Sequence, residues 1–353
     1  MHRQSDMQLG SKGGRADARS AARGQVQAQL TRIADGTLIL TEVLAKHVYW
    51  GLPLARRCFK SLRSSGKSRP QIVARRELKD FLRQIGVTEG SLVMAHTAVS
   101  NLQLRDDAKS RAEGSFLETA NMLVNDLLEL VGPGGTLAMP THAIYQNEEA
   151  FVEARRSGNP IRYDPQQTPC MVGLANELFW RRKGVLRSLH PYNTLAACGP
   201  LAAELLENNL NDNKPLAHGV YSGYYRLCRL KGLVISIGIP LRNCMTLLHV
   251  GEDVRDQQWP IKDFFEERPY LIRINGKEEL HVVRQCREKY AKYAMCRWMP
   301  FNELIREGII HEDHVGEAPV GWARADEVFE YLMKRNEHST YPYYGIRLAG
   351  LRK

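Results

Sequence analysis

From about residue 72 onward, short apolar runs of strand length alternate with longer stretches whose apolar residues recur every three or four positions. The runs SLVMAHT (91–97), TLAMPTH (136–142), TLAACG (194–199) and LVISIGI (233–239) contain no Asp, Glu, Lys or Arg. Around them, VARRELKDFLRQIG (73–86), SFLETANMLVNDLLELVG (115–132), NELFWRRKG (176–184) and GYYRLCRLKG (223–232) carry the helical period. Uncharged strands separated by amphipathic helices require a sheet covered on both faces, which makes this an α/β chain. Residues 257–300 break the rhythm. Rich in charge and aromatics, they read as a mainly β insertion that ends in a helical piece near KYAMCRWM. FNELIREGII (301–310) and ARADEVFEYLMKRN (323–336) then predict two closing helices.

Charge is segregated along the chain. The 353 residues carry a formal net charge of +10, which invites a nucleic-acid reading. Residues 1–76, however, hold 15 Lys or Arg against 4 Asp or Glu, leaving 34 against 35 for everything after them. A domain that grips a phosphate backbone needs its basic face on the folded body, so no nucleic-acid partner is expected. Residues 1–35 are rich in Gly, Ala, Ser, Gln and Arg and read as a disordered basic tail. Residues 36–70 combine an amphipathic helix with a basic linker. Leu40, Val43, Leu44, Val48 and Leu52 share one helical face, and Arg56, Arg57, Lys60, Arg63, Lys67 and Arg69 follow Pro53. Two readings of 37–69 stay open: peripheral membrane contact with cations near acidic headgroups, or a helix docked on the main domain or on the second subunit of a homodimer.

Seven scattered cysteines form no Cys-x-x-Cys pair. That argues against a disulfide framework or a zinc ribbon and for a reducing, cytoplasmic location, peripheral to the inner membrane if 37–69 bind lipid. His311, Asp313 and His314 in HEDH lack metal-site spacing and read as a surface turn, so no metal is expected.

Three segments that follow apolar runs carry ionisable or hydroxyl groups, and ligands of α/β sheets collect where loops leave strand ends. In MAHTAVSNL (94–102), His96, Thr97 and Ser100 offer hydrogen bonds, or else a capped turn into a helix. In YDPQQTPCMVG (163–173) and GVLRSLHPYNTLAACGP (184–200), Pro191 forces His190 into an extended conformation, and Arg187 and Ser188 precede it. In TLLHVGED (246–253), His249 and Glu252 stand three apart, which places them on one helical face.

At these segments the chain resembles the aminoglycoside 3-N-acetyltransferase family, in order over residues 77–256 and more weakly to about 332. The family's early strand ending in a histidine and hydroxyl residues matches VMAHTAVSNL, and GPGGTLAMPTH, DPQQTPCMVG, RSLHP with the following AACGP, and the His249 to Glu252 spacing match its other motifs. GVYSG is a partial match, with Gly223 where the family has proline. The resemblance implies a three-layer sandwich with a central mixed sheet flanked by helices. It implies an acetyl-CoA-dependent N-acyltransferase in which His190 is the general base and Glu252 supports it. An acetyl-CoA site is implied at Thr97, Thr168, Arg187 and Ser188, with Asp164, His249 and Asp253 toward the acceptor.

The residue types suit that reaction. A thioester is already activated, whereas an alkylammonium must lose a proton, and a neutral imidazole of pKa near 6.5 takes it during attack. Direct transfer to a small-molecule amine on an amino sugar or related sugar-containing metabolite is the reading adopted. O-acylation of a polysaccharide or glycolipid precursor, an acyl-enzyme on Cys170 or Cys198, and a catalytically inactive binding protein of the same fold are its competitors.

Overall fold

The computed structural model describes residues 71–106, 115–143, 153–154, 156–211, 213–259, 263–287, 290 and 298–337. The tail 1–35 and the helix and linker expected at 36–70 lie outside the described residues.

A seven-stranded mixed sheet organises the rest. Its strands are β2 (Leu92–Thr97), β4 (Thr136–Pro140), β6 (Leu186–Arg187), β7 (Leu195–Cys198), β8 (Leu233–Ile237), β11 (Ile310–Val315) and β12 (Ala318–Arg324), in the order β11-β12-β8-β2-β4-β7-β6. Strands β8, β2 and β4 run parallel, and the others pair antiparallel. Side chains on β2 alternate across the sheet as the two-residue period demands. Val93 and Ala95 join a core layer with Leu137, Met139, Ile235 and Ile237, whereas Leu92 and Met94 join the opposite layer with Ala138, Ala197 and Val234.

Helices fill both layers. On the first face lie α1 (Arg75–Gln84), α2 (Phe116–Val131) and α3 (Leu174–Trp180), contributing Leu78, Leu82, Leu123, Leu127 and Phe179. On the second lie α4 (Ala202–Leu206), α5 (Gly223–Arg229), α6 (Val250–Asp253), α7 (Trp298–Arg306) and α8 (Ala325–Glu337), contributing Leu205, Leu227, Val250, Leu304 and Leu332. Helix α2 starts where its sequence says it should. The Glu118 N–H donates to Ser115 Oγ at 3.2 Å and the Ser115 N–H to Glu118 Oε2 at 2.7 Å, a reciprocal cap. The strand β7 leaves through Gly199 at φ 126°, where a Cβ would lie 2.2 Å from Gly135 O, so the AACGP turn admits glycine alone.

Two smaller sheets flank this body. β1 (Gln71–Ala74) pairs in parallel with β3 (Leu102–Arg105). β9 (Phe265–Ile274) and β10 (Lys277–Cys286) form an antiparallel hairpin whose β9 also pairs with β5 (Ile161–Tyr163).

The structure departs from the sequence reading in two places. The helix placed at residue 73 begins at Arg75, because Gln71–Ala74 extends and pairs with β3. Residues 310–324 are a β-hairpin between the closing helices, and His311, Asp313 and His314 sit in strand β11 rather than in a turn. β11 is an edge strand, and charged residues on its solvent side mask the alternation that would have revealed it.

Candidate active site

The three parallel strands β2, β4 and β8 point their carboxyl ends the same way, and a cleft of about 720 Å³ opens there. Its floor is His96 and Thr97 from β2, Pro140 and His142 from β4, and Ile239 beyond β8. Gly238, at φ 76°, turns the chain away from β8. A Cβ there would stand 2.5 Å from Ala98 O, so glycine lets the two strand ends close on each other. The far wall comes from a compact run of one-turn helices, 246–249 followed by α6, which carries His249, Glu252 and Asp253.

Two imidazole–carboxylate pairs face each other in this wall. His249 Nδ1 and Glu252 Oε1 are 3.1 Å apart, with the carboxylate buried and the ring 18% exposed at the cleft. The bond to Glu252 fixes the proton on Nδ1 and puts the basic lone pair on Nε2. In the second pair, the backbone N–H and ring Nδ1 of His218 both reach Asp253 Oδ2 at 3.0 Å, and Asn193 Nδ2 donates to His218 Nε2 at 3.2 Å. The two rings lie 5.0 Å apart between centres, at 30°. Burial pushes the Asp253 carboxyl up to about 6, against the opposing pull of His249 and of the His218 N–H. Burial, then the positive charge of the neighbouring His249 and His190, hold His218 well below the usual imidazole range.

The floor is also imidazole-lined and neutral. Burial lowers His96 to about 4, and burial together with His218, His96, His249 and Arg187 lowers His142 to about 3. His96 Nε2 and His142 Nδ1 are buried without a hydrogen-bond partner in the protein, which leaves hydrogen-bonding capacity at the cleft floor for a ligand. Thr97 Oγ1 donates to Asn176 Oδ1 at 2.9 Å, and Asn176 Nδ2 to Pro140 O at 2.7 Å, tying the ends of β2 and β4 together.

Of the residues singled out in the sequence, Thr97, His249, Glu252 and Asp253 meet at the cleft; His190, Arg187, Ser188, Thr168 and Asp164 do not. His190 lines a separate void of about 10 Å³, room for one water at most. Its Nε2 lies 3.2 Å from Pro215 O, its Nδ1 lies 3.0 Å from Tyr192 O and 3.3 Å from Tyr192 N, and burial depresses its pKa against the opposing pull of the two carbonyls. The ring is buried, where it clips two loops together. Arg187, assigned to the cofactor, spends its guanidinium on the carbonyls of Thr141 and Thr168 and on the face of Trp180, 4.3 Å away. Ser188 Oγ donates to Asn209 Oδ1 at 2.7 Å and accepts from the His190 N–H at 3.0 Å. Thr168 Oγ1 accepts from Asp164 N at 2.9 Å, and Asp164 meets Arg273 at 3.5 Å. These residues bond to one another and to neighbouring loops outside the cleft lining. The sequence reading missed His142, His218 and Asn193: His218 lies 35 residues from Asp253, a separation no spacing rule detects.

Among the described residues, no group of three or more His, Cys, Asp or Glu is arranged to hold a metal, and no helix is long and apolar enough to cross a membrane.

The profile of a family described as aminoglycoside 3-N-acetyltransferase matches residues 107–337. Aminoglycoside N(3)-acetyltransferase IX of Micromonospora chalcea is 29% identical over 284 residues, covering 74% of this chain and 92% of that protein. An aminoglycoside N(3)-acetyltransferase III from Salmonella sp is 31% identical over 286 residues, covering 69% and 93%. The crystal structure of aminoglycoside acetyltransferase AAC(3)-Xa superposes with a TM-score of 0.57 at 25% identity, covering 76% of this chain and 94% of that one. The fold is shared also with AAC-IIIb in a binary complex with CoASH, with a TM-score of 0.58 at 22% identity over 76% and 98% of the two chains.

Proposed function

The chain belongs to the aminoglycoside 3-N-acetyltransferase family, and from that membership we propose an acetyl-CoA-dependent N-acetyltransferase whose general base is His249, oriented by Glu252. The observation that carries the assignment is the His249–Glu252 contact at 3.1 Å in the wall of the 720 Å³ cleft. This moves the base away from His190, which does not line that cleft.

The cleft suits the co-substrate. A pantetheine arm is a narrow chain of methylenes and amides, and apolar Val99, Met245 and Leu248 line the cleft beside Thr97 and the orphaned nitrogens of His96 and His142. When bound, the thioester supplies an acyl carbon already activated for attack. The protein then has to supply a deprotonated acceptor. His249 Nε2 takes the proton of the attacking amine, and Glu252 stabilises the imidazolium and keeps the ring in its productive tautomer.

The acceptor is the amino group of an amino sugar or related sugar-containing metabolite. Polycationic acceptors call for an acidic cage, whereas the carboxylates among the described cleft residues, Glu252 and Asp253, are both engaged by imidazoles. The neutral polar groups of His96, His142, Asn193 and Gln285 suit hydroxyls instead. The same base serves a hydroxyl acceptor, and the product distinguishes the two: an amide resists hydroxylamine and an ester does not.

The cysteine route finds no support. Burial pushes the Cys170 thiol up to about 11, which suppresses its thiolate, and neither Cys170 nor Cys198 lines the cleft. A CoA-release screen against amino sugars, nucleotide sugars and aminoglycosides tests the proposal. Turnover with an amino sugar that disappears in His249→Gln supports it. CoA binding without turnover of any acceptor in the panel refutes it.

A further inference from the structure

The cleft wall holds more acid–base machinery than one proton transfer needs. Residues 252 and 253 are consecutive carboxylates on the one-turn helix α6. Each engages a different histidine, and the centres of the two tilted rings lie 5.0 Å apart. His218 is far less accessible than its neighbour, its side chain 3% exposed against 18% for His249. Both of its ring nitrogens are engaged, one by Asp253 and one by Asn193. Its second face packs on Tyr224, 4.9 Å between ring centres. A ring so enclosed is not shaped to exchange protons with a ligand. Its contacts lead instead to His249.

We propose that His218 and Asp253 form a positioning unit for the base: the Asp253 carboxylate steadies the charge that builds on His249, and the His218 ring, packed at a tilt against His249, holds that imidazole against the cleft. This rests on His249 being the base. During attack the acceptor's proton moves to His249 Nε2. The His218 proton stays on Nδ1, where Asp253 holds it, and Asp253 keeps its negative charge throughout. Burial makes that charge effective, because little water competes for it. The buried carboxylate and the His249 imidazolium attract each other. The other groups around the pair divide as follows: burial lowers the pKa of His142 beyond β4 and of His190 beyond β6, Glu252 belongs to His249 itself, and Asp256 is paired with Arg284 of β10. Asp253 is therefore a carboxylate of this wall, besides Glu252, placed to act on the base.

The test is Asp253→Asn, which keeps the shape and the hydrogen-bond acceptor while removing the charge. Because burial disfavours the ionised carboxylate, the substitution should leave the fold intact, checked by far-ultraviolet circular dichroism. The apparent pKa on the acidic limb of kcat/KM is expected to fall by about one unit, with kcat down about tenfold. KM for acetyl-CoA should stay within about twofold, and Asp253→Glu should restore the limb. The His249 ring should titrate lower by the same amount in ¹⁵N NMR, a readout independent of turnover. A folded Asp253→Asn protein whose limb and ring titration both stay at wild-type values overturns the inference. So does wild-type NMR showing His218 protonated on Nε2 at neutral pH. If the ring titration shifts but His249→Gln remains active, the base assignment fails while the coupling between the two pairs stands.

Discussion

His249 and Glu252 meet across a single turn, ring nitrogen to carboxylate oxygen at 3.1 Å, and they do so in the wall of the cleft at the parallel strand ends. Glu252 is 1% exposed, so its charge acts in a medium of low polarity and sets the tautomer of the ring beside it. Glu252→Gln keeps the size and removes the charge. Its kcat is expected to drop about a hundredfold with little change in KM for acetyl-CoA, as read in a steady-state CoA-release assay.

His190 has the opposite profile. Its Nε2 sits against Pro215 O, which also accepts from the Arg284 N–H, and its Nδ1 contacts the Tyr192 backbone, so removing the ring deletes buried contacts between two loops. His190→Ala should cost about 1–3 kcal/mol of stability in urea unfolding. Turnover per folded molecule should stay within about threefold of wild type.

Acid sensitivity follows from the cleft floor. His96 and His142 are depressed by burial to about 4 and about 3 from an ordinary 6.5. Their stabilising contribution is fully present above pH 6.5 and is lost as pH falls through the folded-state values. For His96 the difference is on the order of 3 kcal/mol. Asp253, raised to about 6, has the reverse sign: its contribution is present below about pH 4 and is gone once pH exceeds 6. The midpoint of thermal unfolding should fall steeply from pH 6.5 to 4. His142→Gln should flatten that fall, and Asp253→Asn should gain stability at pH 7.

Arg187 is expected to matter to the fold and not to the co-substrate. Its guanidinium bonds Thr141 O at 2.7 Å, reaches Thr168 O as well, and stacks on Trp180. A lysine has neither the fork nor the plane. Arg187→Lys should lower stability by about 2–4 kcal/mol in chemical unfolding, while CoA affinity of the folded protein by calorimetry changes less than twofold.

The alternation of apolar runs and amphipathic stretches was enough to read the central sheet and its helices, because β2, β4, β7 and β8 are buried on both faces and admit no charge. The hairpin β11–β12 escaped, since an edge strand reading IHEDHV has no such restriction. The site was legible in part. His249 and Glu252 share one turn, but their spacing alone fits an ordinary helix start equally well, and only the family resemblance singled them out. The RSLHP segment drew attention because Pro191 restricts His190 and because it matches a family motif; in the structure Arg187, Ser188 and His190 hold interior loops by buried bonds outside the cleft lining. His218 could only be found in three dimensions, where its loop folds back on α6 to meet Asp253.

The base assignment is tested most directly by single-turnover acyl transfer with acetyl-CoA and a working acceptor, comparing His249→Gln with His190→Ala at the same pH. A loss of about a thousandfold in the first, with the second near wild type once corrected for folded fraction, is what this arrangement requires. His249→Gln within tenfold of wild type, alongside an inactive but folded His190→Ala, would place the chemistry elsewhere.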